Sequence, residues 1–131
     1  MGIVDLLNLF FKQGMELRVT GVPGSHGFSI NVGESDAIMG LHINARFQGS
    51  GPGVIELNNR KDGTWGVKVT EKNFPFRQGE EFEVSITFAD EHFYISLHDG
   101  HMLMFPNRLQ LPQYSKIWFT GDVKITGIYL K

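Results

Sequence analysis

Between Leu41 and Phe47 the chain reads Leu-His-Ile-Asn-Ala-Arg-Phe, with His42, Asn44 and Arg46 at every second position. Side chains two apart on a strand share a face, so an imidazole, an amide and a guanidinium stand in one row. Their neighbours Leu41, Ile43, Ala45 and Phe47 turn the other way, into a core. An ordinary solvated strand face carries Lys, Glu, Thr and Ser, whereas these groups hydrogen-bond with fixed geometry. Val54 to Asn58 repeats the layout, Ile55 and Leu57 inward and Glu56 and Asn58 outward. Trp65 then opens a strand on which Val67 and Val69 alternate with Lys68 and Thr70. Strict alternation puts Trp65 on the valine side, but the preceding Asp62-Gly63-Thr64 marks a turn, and turns relax alternation. The expected result is a polar floor of neighbouring strands beside one indole ring. Such a surface suits a polyhydroxylated ring, whose C–H patch packs on the aromatic face while its hydroxyls are matched singly.

The elements that must position these groups are strands. Met15 to Val19 alternates, and Gly21-Val-Pro-Gly24 reads as a turn. Phe28, Ile30 and Val32 alternate with Ser29 and Asn31, and Gly33-Glu-Ser-Asp36 turns into the strand from Ile38 to Phe47. Gln48 to Gly53 reads as a flexible connection and Asn59 to Gly63 as a hairpin loop. Phe74-Pro-Phe76 reads as a strand edge or connection. Phe82 to Phe88 and Phe93 to Leu97 alternate cleanly, and Asp99-Gly100 reads as a type I′ turn before Met102 to Phe105. Ile117 to Phe119 and Val123 to Leu130 close the chain. Ile3 to Phe11 is apolar without a clean period and too short before Gly14 to favour a helix. Short strands at regular spacing predict an all-β antiparallel β-sandwich, in one domain spanning residues 1–131.

The motifs His42-x-Asn44-x-Arg46, Asn58, Trp65-Gly66, Phe74-Pro-Phe76 and Phe105-Pro-Asn-Arg108 stand in an order and spacing that resembles the galectin carbohydrate-recognition domain. The resemblance covers essentially the whole chain. It implies a jelly-roll order for the sandwich and a lectin that binds β-galactosides. By that likeness galactose stacks on Trp65, and its axial C4 hydroxyl is held by His42, Asn44 and Arg46. Arg46 also reaches the ring oxygen, and Asn58 takes the C6 hydroxyl. Three positions depart from the galectin pattern. Glu56 replaces the usual Val two residues before the Asn, and Lys68 and Thr70 replace the Glu and Arg after the Trp. The departures imply altered, weaker recognition of the sugar beside galactose, with Glu56 as a replacement anion that holds Arg46 and offsets Lys68. The alternative they leave open is a galectin-related protein without useful sugar binding, serving as a structural or protein-interaction module.

Composition narrows the remaining classes. With 131 residues, 41% hydrophobic and 20% charged, the chain is an ordinary globular domain able to bury its own core. A net charge of −2 without a basic cluster argues against nucleic-acid or anionic-lipid partners. There is no cysteine, hence no disulfide scaffold, and no thiol nucleophile. Neither a G-x-S-x-G elbow nor a phosphate-binding glycine loop occurs, so an enzyme is not expected. Glu80 and Glu81 are adjacent and would face opposite ways on a strand, which rules them out as an acid–base pair. His98 and His101 flank the Asp99-Gly100 turn but lack a third ligand for zinc, and no metal or cofactor is expected. Trp118, between Ile117 and Phe119, reads as structural. No segment is long enough to span a membrane, and Met1 to Phe11 lacks the basic start and cleavage site of a signal peptide. The expected compartment is the cytoplasm, the extracellular space by a non-classical route, or both, as the galectin likeness implies. Apolar terminal strands, Ile3 to Phe11 and Val123 to Leu130, suggest a homodimer.

Overall fold

Apolar residues at every second position are the local cause of the fold, and almost all of them lie against one core. The computed structural model describes residues 3–49 and 51–131, with side chains described from Phe10 onward except at position 52. Among the described residues there is no helix. Ten antiparallel strands run β1 (Ile3–Lys12), β2 (Glu16–Ser35), β3 (Ile38–Gln48), β4 (Gly51–Lys61), β5 (Thr64–Trp65), β6 (Val69–Glu71), β7 (Phe82–Phe88), β8 (His92–Leu97), β9 (Met102–Pro106) and β10 (Gln113–Leu130).

Two strands are far longer than the sequence periods suggest, and they make the sandwich. The second half of β2 pairs with β3 (Phe28↔Ala45, Asn31↔His42), while its first half pairs with β7 (Leu17↔Ile86, Gly21↔Phe82). β10 follows β2 along its length, from Lys116↔Gly33 to Leu130↔Leu17, with a register shift at the bend between Gly121 and Val123. One layer is therefore β1, the first half of β10, the second half of β2, β3, β4 and the short β5 and β6. The other is the second half of β10, the first half of β2, β7, β8 and β9. Aromatic rings from the two layers meet between them. Phe28 stacks on Phe82 at 5.0 Å with Phe76 set edge-on to both, and Phe11 and Tyr114 pack on Phe88 and Phe93. Each such pair adds about 0.5–1.5 kcal/mol beyond burial.

The expected antiparallel β-sandwich is thus observed, with several local corrections. Gly21-Val-Pro-Gly24 is no chain-reversing turn: β2 runs through it. Pairing to β7 ends at Gly21 and pairing to β3 begins at Phe28, so in between β10 is the one strand that pairs with β2, and Gly79 N–H donates to Pro23 O at 2.8 Å. A proline, which has no N–H to give, is tolerated at such an open edge. Asp122 at the β10 bend braces this corner, its carboxylate accepting the N–H groups of Ser25 (2.7 Å) and His26 (3.2 Å). Ile117–Phe119 and Val123–Leu130 are likewise one bent strand.

The Gln48 to Gly53 connection is tighter than expected, since β3 ends at Gln48 and β4 starts at Gly51; Ser50 lies outside the described residues. β4 continues to Lys61, which leaves Asp62 and Gly63 as the whole turn. Both have positive φ, 50° and 83°, so type I′ geometry sits here. At Asp99-Gly100 only Gly100 is left-handed (φ 94°), and its N–H donates to Leu97 O at 3.0 Å, which makes a type I turn closed by a left-handed glycine. Finally, Trp65 to Thr70 is no continuous strand. It breaks between β5 and β6, and Val67, expected in the core, is 79% exposed.

Candidate functional site

The β3–β4 register places His42 opposite Asn58, Asn44 opposite Glu56 and Arg46 opposite Val54. β6 sets Thr70 opposite Glu56, and β5 sets Trp65 opposite Arg60. With Ile55 and Leu57 fully buried, the alternate residues of β4 face outward, and Trp65 faces outward because its partner Arg60 does. The parity conflict at Trp65 disappears because the strand is interrupted directly after it. A hollow of about 220 Å³ lies over this face, lined by His42, Asn44, Glu56, Asn58, Trp65 and Lys68. Arg46 stands at its margin through Glu56, and Thr70 is exposed beside it, outside the lining. Sites for drug-sized ligands run to about 300–1,000 Å³, so this one has the scale of a single small ring.

A larger hollow, about 530 Å³, lies between the β1–β2, β7–β8 and β9–β10 connections, with Asp90, Glu91, His92 and Arg108 on its walls. It offers no phenyl or indole face, and size alone does not make it the better candidate.

Behind the row, on β2, Asn31 is buried and fixes the state of His42. Its Nδ2 donates to Trp118 O (3.3 Å) and Ser29 Oγ (3.0 Å), which leaves Oδ1 to accept from His42 Nδ1 at 2.5 Å. A carbonyl oxygen only accepts, so this network assigns the ring proton to Nδ1 and leaves Nε2 as an acceptor. Burial, reinforced by the nearby Arg60 charge and outweighing Glu56 and Asp36, pushes the His42 pKa down to about 4. The ring is neutral at physiological pH.

Glu56 joins the two cations of the rim. Its Oε1 lies 3.5 Å from Arg46 Nη1 and its Oε2 lies 3.1 Å from Lys68 Nζ. Burial works to raise its pKa, but the Lys68 hydrogen bond and the Lys68 and Arg46 charges prevail, and the carboxyl is held below its usual range. It is an ionised bridge.

Trp65, 44% exposed, has the His42 ring 4.7 Å away at 50° and the Arg60 guanidinium 5.1 Å from its centroid. Asp36 holds Arg60 in turn, at 2.9 Å. The irregular segment after Trp65 is pinned from below. Asn58 Nδ2 donates to Gly66 O (3.1 Å), and Arg108 Nη1 donates to Val67 O (2.7 Å) and Asn59 Oδ1 (3.0 Å). A Cβ at Gly66 would lie 2.6 Å from Asn59 Oδ1, so no side chain fits there without moving the network.

The sequence model of the galactoside-binding lectins matches residues 4–130. The chain belongs to this family. A β-galactoside-binding lectin of Electrophorus electricus is 41% identical over 99% of this chain and 98% of its own. Galectin-1 of Mus musculus is 40% identical, with 90% of each chain covered. Among solved structures, lactose- and MES-liganded congerin II superposes with a TM-score of 0.89 at 37% identity, over 97% of this chain and 100% of that one.

Within this galectin-family chain, six expected side chains (His42, Asn44, Glu56, Asn58, Trp65 and Lys68) line the hollow, while Arg46 and Thr70 stand outside its lining. Asn31, Arg60, Asp36 and Arg108 were missed as supporting residues. Arg60 was within reach of the sequence, because a two-residue Asp-Gly turn pairs Lys61 with Thr64 and hence Arg60 with Trp65. Asn31 was not, since its meeting with His42 depends on a strand register that local pattern does not encode. The expected structural role of Trp118 fits its burial on β10, where its carbonyl holds Asn31. His98 and His101 do not meet as a pair: His98 lies edge-on to Phe76 and His101 bonds Asp99.

Proposed function

We propose that this face binds the galactose of galactose-containing glycans. Trp65 takes the C–H face of the sugar, His42 Nε2 accepts from the axial C4 hydroxyl, and Asn44 and Arg46 donate to that oxygen. Arg46 also reaches the ring oxygen, and Asn58 meets the C6 hydroxyl through the amide hydrogen not given to Gly66. The single observation that carries this reading is the convergence of an exposed indole with His42, Asn44 and Asn58 on one ring-sized hollow. The relatives named as β-galactoside-binding lectin and galectin-1 support it. An equatorial C4 hydroxyl would strand these groups, at about 1–3 kcal/mol for each left unpaired, so glucose is rejected.

The second part of the proposal concerns the rim. Lys68 and Thr70 supply neither the carboxylate nor the second guanidinium that galectins use on the neighbouring sugar, and Glu56 is occupied by two cations. Galactose selectivity is kept while lactose binds more weakly than in a typical galectin. The competing reading, a galectin-like module without sugar binding, draws on the same Glu56 contact, which engages Arg46. Calorimetric titration with galactose, glucose and lactose separates them. Galactose and lactose bind, glucose does not, and Lys68→Glu/Thr70→Arg tightens lactose about tenfold through one or two restored charged hydrogen bonds. Tryptophan fluorescence shifts on adding galactoside, and Trp65→Leu abolishes that shift. No heat and no shift with any galactoside would leave the module reading standing.

A further inference from the structure

The charge around the hollow does not balance. Arg46 and Lys68 share the single carboxylate of Glu56, while the other nearby pair, Arg60 and Asp36, is closed on itself. Asp122 is engaged two strands away with Ser25 and His26. One positive charge is left over at the rim. Heights matter as much as numbers. The side chains of Arg46 and Lys68 are 60% and 56% exposed, and that of Glu56 is 17% exposed. The carboxylate is therefore sunk between two cationic heads that stand in solvent, and an incoming group meets the cations first. Arg46 gives Glu56 one long contact from a five-donor fork, and Lys68 uses one of three ammonium donors on it. Donors thus remain free to aim at a ligand without dismantling the bridge.

We infer that this lectin prefers galactosides that carry an anionic group, a sulfate ester or a sugar carboxylate, on the flank that lies over Arg46 and Lys68. This deepens the galactoside reading and rests on it. An oxyanion there takes charge-assisted hydrogen bonds from Lys68 Nζ and the unused Arg46 N–H groups. Glu56 stays beneath as the spacer that keeps the two cations apart. Because both heads are solvated, the preference is salt-sensitive.

The test is calorimetric titration of lactose, N-acetyllactosamine sulfated on its N-acetylglucosamine, 3′-sulfated lactose and sialylated lactose, at low and high salt. At least one anionic ligand is expected to bind about five- to tenfold tighter than its neutral parent at low salt, with the advantage shrinking at high salt as screening demands. The two sulfated positions and the carboxylate arm tell which anion and which flank is read. Lys68→Met erases the ratio of anionic to neutral affinity, and Lys68→Arg keeps it. Lactose binding with no anionic preference overturns this inference alone. A preference that survives in Lys68→Met also overturns it. Failure of every galactoside, neutral or charged, overturns the galactoside reading and this inference with it.

Discussion

At the scale of single residues, the decisive partner lies behind the hollow and not in its lining. Asn31 holds His42 Nδ1 and so leaves Nε2 as an acceptor. The strand period makes His42, Asn44, Asn58 and the outward turn of Asn31 legible in the sequence. It does not say which residue stands beside which, and that register sets the imidazole's chemistry. A pH dependence follows. Unfolded, an imidazole titrates near 6.5, whereas in the folded protein His42 is held at about 4. Between those values the unfolded chain binds the extra proton and the folded one does not, so stability is full above the upper value and falls as pH drops toward the lower. The loss attributable to His42 is at most on the order of 3 kcal/mol. Urea midpoints at pH 7 and 4.5 should drop further for the wild type than for His42→Gln. Equal drops would mean that His42 is not the titrating group. Galactoside affinity should stay level from pH 8 to about 5.5 and weaken below, as protonation turns Nε2 from acceptor to donor.

At the scale of elements, the break between β5 and β6 is what the site is built on. Strict alternation put Trp65, Val67 and Val69 on the inner side, from which the turn before Trp65 exempted the indole. Val69 does pack on the core, but Val67 does not, because three residues leave the ladder. The reason is tertiary: Arg108, forty-odd residues downstream, bonds Val67 O and Asn59, and Asn58 bonds Gly66 O. No local pattern around Trp65 reports those contacts, although Phe105-Pro-Asn-Arg108 was already visible as a motif without a role. Gly66 is where the break is most constrained. Asn59, which a new Cβ would strike, is 6% exposed and tied to Arg108, so it has nowhere to go. Gly66→Ala should destabilise the domain by about 1–3 kcal/mol, as overpacking does. It should also weaken galactoside binding, because Trp65 is the adjoining residue. Thermal melts together with fluorescence titration check both effects. A variant with wild-type melting and affinity would show that the segment adjusts freely.

At the scale of the molecule, the terminal strands lie at open edges of the sandwich. Among the described residues, β1 pairs with no strand but β10, and the second half of β10 with no strand but β2. Phe10 is 65% exposed and Tyr129 61% exposed on these edge strands; the side chains of residues 3–9, on which the sequence argument for a dimer also leaned, lie outside the described ones. Apolar open edges pair. Two-fold association of such protomers is the expected state, and light scattering across a concentration series should give twice the 14.8 kDa of one chain. Tyr129→Glu should shift the population toward single chains. A mass of one chain at every concentration would refute the pairing. The sandwich itself was legible from the periods of β3, β7 and β8. The two long bent strands were not, because glycines and Pro23 look like punctuation until a partner runs alongside them. Their length has a consequence for how the protein is born. The residues that line the hollow, 42 to 68, are synthesised well before β10, but β2 has no strand partner along its bend until β10 arrives. Trp118 O, which orients Asn31 and through it His42, belongs to that last strand. A nascent chain therefore carries every group that lines the hollow before the contact that orients His42 can form, and that contact waits for the eighteen residues of β10 to dock on β2.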